Sequence, residues 1–213
     1  MTKPILFDYY RSSASYRVRI ALNLKRVDYD TAPIDLLHGE QGDPAYCARN
    51  PQAFVPMLEL DGRRITQSLA IIHYLDAAHP EPALVPQDPF DRAHVASMAL
   101  TIACDIHPLN NLRVLKYLVG PLGQDEAAKN AWIARWIGQG FAALEALAAE
   151  RAGRFLFGDA PTLADICLVP QMYNARRFNV PLGDYPLLVR ADEEAAKLDA
   201  FAAAHPDKVA PGG

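Results

Sequence analysis

Four prolines fall within residues 80–89, in the run Pro80-Glu81-Pro82-Ala83-Leu84-Val85-Pro86-Gln87-Asp88-Pro89, and they constrain everything on either side. Proline lacks a backbone N–H and fixes φ, so neither a helix interior nor a central strand accepts that density. The run reads as a linker over residues 83–90 that joins one domain at 1–82 to another at 91–213.

The two parts carry different periodicities. Before the linker, strands are expected over 4–10, 29–35, 57–60 and 64–66, with helices over 15–26 and 68–79 and an irregular stretch over 38–50. Asp61-Gly62 between two short apolar runs is a hairpin signal. Val18, Ala21, Leu22 and Lys25 share one face of the first helix, with Lys25 expected to snorkel at its edge. The order is βαβ, then a hairpin, then α. After the linker no convincing strand appears. Long helices are expected over 91–118 and 125–151, the second marked by Ile133, Trp136, Ile137, Gly140, Phe141 and Leu144. Thr162 and Asp165 form a capping box for the next helix, which Pro170 is expected to kink or cut short. Short helical runs over 187–191 and 193–204 and a loose tail over 206–213 complete the chain. The fold class is therefore α/β plus all-α.

Composition removes several classes of function. With 213 residues, 51% of them hydrophobic, the chain has ample core-forming material. Its net charge is −4, and acidic and basic residues are balanced in both parts, so no nucleic-acid partner is expected. The apolar run near the start is too short for a signal-peptide core or a membrane span, which points to a cytoplasmic protein with no membrane partner. Cys47, Cys104 and Cys167 are odd in number and far apart, which indicates neither a disulfide framework nor a zinc cluster. They read as buried, reduced thiols.

The chemistry concentrates at Arg11-Ser12-Ser13-Ala14-Ser15-Tyr16-Arg17, where the first strand meets the first helix. A helix N-terminus carries unpaired N–H groups and partial positive charge, which suit an anion. No phosphate-binding glycine loop is present. The serines read either as plain N-caps or as hydroxyl donors to the sulfur anion of a bound thiol. Lowering a thiol pKa from about 8.5 to about 6.5 requires about 2.7 kcal/mol. One charged hydrogen bond, at about 1.5–3 kcal/mol, together with the helix dipole can supply that. Gln67-Ser68 opens a second helix and offers a second anion site. Val55-Pro56, at a strand entrance, is a place where a cis bond can expose backbone groups to a ligand. His107 and Asn111 stand four apart in an otherwise apolar helix, as a general base, a ligand or a polar surface. No metal-ligand spacing completes a site around them. Arg176-Arg177 reads as a solvated pair.

Taken together, these residues resemble the zeta class of glutathione transferases. The similarity runs almost end to end, through Lys3-Pro4-Ile5-Leu6, Arg11-Ser12-Ser13, Arg17-Val18-Arg19-Ile20-Ala21-Leu22, Asn50-Pro51, Val55-Pro56, Gln67-Ser68-Leu69-Ala70-Ile71-Ile72 and Leu168-Val169-Pro170-Gln171. The resemblance implies a thioredoxin-like N-terminal domain, a helical-bundle C-terminal domain, a homodimer and glutathione as cofactor. It implies that Ser12 lies nearest the glutathione sulfur with Ser13 beside it, that Gln67 and Ser68 hold the γ-glutamyl end, and that Val55 precedes a cis proline. It places Gln41, His107 and Asn111 among the glutathione contacts. Arg177, with Arg11 as a second candidate, is expected on a carboxylate of a small dicarboxylate diketo-acid substrate. The implied reaction is glutathione-dependent cis–trans isomerisation of maleylacetoacetate to fumarylacetoacetate, a step in tyrosine and phenylalanine breakdown.

Many members of the class read Ser-Ser-Cys where this chain has Ala14, so no protein cysteine can act at that position. Members acting on maleylpyruvate carry an arginine where Leu112 stands, which favours maleylacetoacetate. Maleylpyruvate isomerisation, glutathione conjugation and binding without turnover stay open as alternatives.

Overall fold

The computed structural model describes residues 2–211. The chain divides into two compact units, Met1–Ala83 with Lys197–Gly213, and Leu84–Ala196.

The first unit runs β1 (Ile5–Asp8), α1 (Ser13–Leu24), β2 (Asp30–Pro33), a 3-10 turn (Glu40–Gly42), α2 (Pro44–Cys47), β3 (Met57–Leu60), β4 (Arg63–Thr66) and α3 (Ser68–Ala78). The sheet order is β2-β1-β3-β4. β1 pairs parallel with β2, Ile5 opposite Asp30, and antiparallel with β3, Leu6 opposite Leu58. This is a thioredoxin-like βαβ unit followed by a hairpin. Asp61 and Gly62 both take positive φ, 48° and 73°, as a two-residue turn matched to strand twist requires. Leu6, Val18, Leu22, Met57, Leu58, Ile71 and Ile72 are buried between the layers.

The second unit is helical: α4 (Pro89–Leu100), a π segment (Thr101–Ile106), a 3-10 turn (Pro108–Asn110), α5 (Leu112–Val119), α6 (Glu126–Ala148), α7 (Leu163–Arg177) and α8 (Pro186–Ala196). The single helix expected over 91–118 is thus four pieces. Pro108 cannot donate to the preceding turn, and Asn111 is extended at ψ 147°. His107 and Asn111 therefore do not share a helix face. The stripe on α6 survives, and its Gly140 has a steric reason. A Cβ there would run into Cγ1 and Cδ1 of Ile106 on the π segment. Pro170 does not end its helix, which continues unbroken to Arg177 within a run of buried residues.

Beyond α8 the chain rejoins the first unit, in place of continuing the expected 91–213 domain. α9 (Asp199–Ala204) packs on α1, and α10 (Pro206–Val209) orders part of the tail expected to be loose. Residues 212 and 213 of that tail lie outside the described residues. Asn23 Nδ2 donates to the Ala200 carbonyl at 2.9 Å. With α3 and α9 both against it, α1 is buried around most of its circumference. Lys25 consequently does not snorkel: its buried Nζ lies 2.6 Å from Asp76 Oδ1 and 2.6 Å from the Pro82 carbonyl. All three cysteines are free, but only Cys167 is buried, while Cys47 is half-buried and Cys104 exposed.

Candidate active site

In the first unit, β1 hands over to α1 through Tyr9-Tyr10-Arg11-Ser12, and buried groups hold this turn in place. Ser12 N–H donates to the Tyr9 carbonyl at 2.8 Å. Arg19, only 1% exposed, donates through Nη2 to the Tyr10 carbonyl at 2.9 Å, and its Nη1 lies 2.8 Å from both oxygens of Asp8. Its Nε donates to the Ala204 carbonyl at 3.1 Å. A buried ion pair is tolerable when its remaining donors find partners, as these do.

Ser12 is the N-cap of α1, its Oγ accepting from Ser15 N–H at 3.2 Å. A hydroxyl that accepts this bond keeps its own proton to donate. Cap and anion donor are therefore compatible roles for one residue. Ser13 follows, buried in the first turn. Arg11 donates from Nη2 to Tyr9 Oη at 3.0 Å, and its guanidinium stacks 5.1 Å from the Tyr10 ring centre.

The start of α3 makes the second station. Ser68 Oγ accepts from Arg17 Nη1 at 3.4 Å, and both residues are buried. One guanidinium on α1 thus reaches the first residue of α3. Gln67 before it has φ 71°, a region costly for a non-glycine residue and typical of constrained sites. Its Nε2 donates to Gln52 Oε1 at 2.8 Å, and Gln52 N–H donates to Asn50 Oδ1 at 3.1 Å. Asn50 Nδ2 and Tyr46 Oη both donate to the Phe54 carbonyl, at 2.7 and 2.6 Å. Burial pushes the Tyr46 phenol pKa upward, so it stays a protonated donor. These bonds fix the loop that enters the Val55-Pro56 bond, which is cis. Val55 is buried with Tyr46 and Met57. Gln41 lies in the 3-10 turn, its Oε1 buried with no donor among the described residues.

In the second unit, His107 follows the π segment, and Asn111 caps α5, its Oδ1 accepting from Arg113 N–H at 3.1 Å. The two arginines at the end of α7 are not alike. Arg176 pairs with Asp192 at 2.6 Å, whereas Arg177 is exposed and stacks 5.0 Å from the Phe178 ring centre. Among the described residues no group of His, Cys, Asp or Glu could hold a metal ion, and no helix is long and apolar enough to cross a membrane.

The first unit thus brings Arg11, Ser12 and Ser13 to one helix start, and Gln67 and Ser68 to another, with Val55 on a fixed loop. The donor set fits a peptide thiol with charged ends: a hydroxyl at each helix start, an amide at Gln67 and a peptide edge at Val55. Sequence reading passes over Arg17, Gln52 and Tyr9. The signal available for Arg17 was a charge within the apolar, core-facing stretch Tyr16 to Leu22.

The chain is similar to known proteins over nearly its whole length. The N-terminal domain of glutathione S-transferases matches residues 6–83, and the C-terminal domain of the same family matches residues 130–204. A maleylacetoacetate isomerase of Rhizobium meliloti is 50% identical over 97% of this chain and 98% of its own. The holo structure of a bacterial maleyl pyruvate isomerase of the zeta class superposes with a TM-score of 0.96, at 46% identity, over 98% of this chain and 100% of the other. A maleylacetoacetate isomerase from Anaeromyxobacter dehalogenans, with glutathione bound in its active site, gives a TM-score of 0.89 at 44% identity, over 99% and 98% of the chains.

Proposed function

The chain belongs to the zeta class of the glutathione S-transferase family, and we propose that it is a glutathione-dependent cis–trans isomerase converting maleylacetoacetate to fumarylacetoacetate. The observation that carries this reading is the hydroxyl of Ser12, which caps α1 and still has a proton to donate at a positively polarised helix start. Bound glutathione supplies a thiolate whose reversible addition to a conjugated double bond lets that bond rotate. Ser12 donates a hydrogen bond from its hydroxyl to the sulfur anion, and the N–H groups of the first turn of α1 add to its stabilisation. Ser13 supports the same turn. Gln67 and Ser68 hold the γ-glutamyl end, Val55 presents backbone groups to the cysteinyl part, and Gln41, His107 and Asn111 add further contacts. Arg11 and Arg177 bind the carboxylates of the diketo acid, where planar guanidinium donors match carboxylate geometry.

We place this isomerase in tyrosine and phenylalanine catabolism, in the cytoplasm and as a homodimer. The free cysteines accord with a reducing compartment. Maleylpyruvate is the second reading, favoured by the TM-score of 0.96 to a maleyl pyruvate isomerase. Leu112, at the first position of α5, favours the diketo acid with the longer chain. Loss of maleylacetoacetate absorbance with and without glutathione, in parallel with maleylpyruvate, decides between them. Faster glutathione-dependent turnover of maleylacetoacetate is expected; the reverse preference would move the enzyme to gentisate catabolism, and turnover of neither would leave conjugation or binding.

A further inference from the structure

We infer that Tyr9 and Tyr10 are positioning residues that hold the Arg11 guanidinium as a preformed carboxylate receptor beside Ser12. The inference rests on the assignment of Arg11 to substrate binding and asks how that arginine is aimed.

Arginine is a rotamer-rich side chain, and it recognises a carboxylate through two parallel N–H bonds only if its planar fork is held in place. At Arg11 both the position and the tilt of the fork are set by neighbours. Nη2 donates to Tyr9 Oη at 3.0 Å. The guanidinium carbon lies 5.1 Å from the Tyr10 ring centre and 5.9 Å from that of Tyr9. The two rings are 5.0 Å apart and inclined at 59°, so together they form a corner that accepts the cation. Tyr9 Oη thus accepts from one of the five N–H donors of the guanidinium.

The corner is anchored in the fold. The Tyr9 ring packs against the buried cluster of Tyr46, Val55 and Met57, the cluster that carries the cis Val55-Pro56 step. Its backbone carbonyl accepts from Ser12 N–H at 2.8 Å. The Tyr10 carbonyl accepts from buried Arg19. Tyr9 therefore touches three parts of the site at once: the cap of the thiol-activating helix through its carbonyl, the peptide-binding loop through its ring, and Arg11 through its hydroxyl. A phenylalanine at position 9 would keep the first two links and cut the third, which makes the hydroxyl separable from the packing.

The experiment is a double-mutant cycle on the full-length protein, reading isomerase kinetics with maleylacetoacetate at saturating glutathione in wild type, Tyr9→Phe, Arg11→Ala and the double variant. Tyr9→Phe is expected to raise the KM for maleylacetoacetate about five- to tenfold, equivalent to about 1–1.4 kcal/mol, with the KM for glutathione unchanged. In the Arg11→Ala background the same substitution is expected to have no further effect, because its only route to the substrate is gone. Tyr10→Leu, which removes the ring face, is expected to raise the same KM about twofold. Additive effects of Tyr9→Phe and Arg11→Ala, or a parallel rise in the KM for glutathione, would show that Tyr9 acts through packing and overturn the inference. An Arg11→Ala variant with unchanged KM would overturn the assignment of Arg11 and the inference together. If the wild type turns over no maleylacetoacetate, calorimetric titration of the glutathione-loaded protein with succinate reads the same cycle. Coupled losses of affinity there uphold the receptor although the substrate reading has failed, and uncoupled losses overturn it.

Discussion

The starts of α1 and α7 are built from the same local device, a hydroxyl residue at the N-cap, and use it for different ends. At α7 every acceptor is consumed. Thr162 N–H and Oγ1 donate to Asp165 Oδ2 at 2.8 and 3.0 Å, and Leu156 N–H donates to Asp165 Oδ1 at 2.8 Å, with Asp165 fully buried. At α1 the capping oxygen of Ser12 is half-buried, satisfies one backbone N–H and keeps a proton to donate. A closed cap holds a fold together, and a half-used one leaves a donor for a ligand. The contrast predicts that the two caps fail in different assays.

The largest effect is expected at the closed cap. Asp165→Ala leaves two backbone N–H groups and a hydroxyl buried without their acceptor, and is expected to cost about 3–5 kcal/mol of stability at pH 5. Denaturant unfolding measures this, while turnover per folded molecule should stay near the wild-type value. At the open cap, Ser12→Ala is expected to lower kcat/KM at least about 100-fold, or about 2.7 kcal/mol, while loss of the cap costs about 1 kcal/mol of stability. A Ser12→Ala enzyme with full activity would make α1 a structural cap like α7 and erase the distinction.

A smaller effect sharpens the comparison through pH. Burial raises the Asp165 carboxyl from 3.8 to about 6, outweighing the hydrogen bonds from Leu156 and Thr162 that favour its charged form. The folded state thus holds this proton at pH values where the unfolded chain has released it. Stability from the group is present in full below about pH 4 and is lost as pH rises through about 6. The stability gap between wild type and Asp165→Ala is expected to shrink by about 1.4 kcal/mol between pH 5 and 7.5. A gap that stays constant with pH would mean that the carboxyl titrates in its ordinary range and that the cap is ionised at both.

Which features the sequence discloses follows from the range of the interactions that make them. The Asp61-Gly62 hairpin, the Thr162–Asp165 capping box and the stripe on α6 depend on residues within a turn or two of each other, and each appears where residue order places it. Ser12, Val55, Gln67 and Ser68 enter the proposed site through motif resemblance alone. The errors sit where a distant element decides. Periodicity marks a face of α1 as apolar but says nothing of α3 and α9 closing over it, so Lys25 looks exposed and is buried against Asp76. Arg17 receives no role of its own from the local pattern and reaches Ser68, 51 positions away. The close approach of α6 to Ile106 at Gly140 is likewise recorded by no local pattern near residue 101.

Ser15 offers the smallest and most local test of the difference between the caps. It lies one turn into α1 and is fully buried; its N–H donates to Ser12 Oγ, but its own Oγ makes no hydrogen bond among the described residues. A buried hydroxyl without a partner is a cost, and alanine is the better helix former. Ser15→Ala retains the backbone N–H that Ser12 accepts, so the cap and the site should be untouched. The variant is expected to gain about 1 kcal/mol, a rise of about 2–4 °C in Tm for a chain of this size, with unchanged kcat and KM. A loss of activity would place the Ser15 hydroxyl in the site beside Ser12, and the donor capacity at the start of α1 would then be shared between two serines, not confined to one.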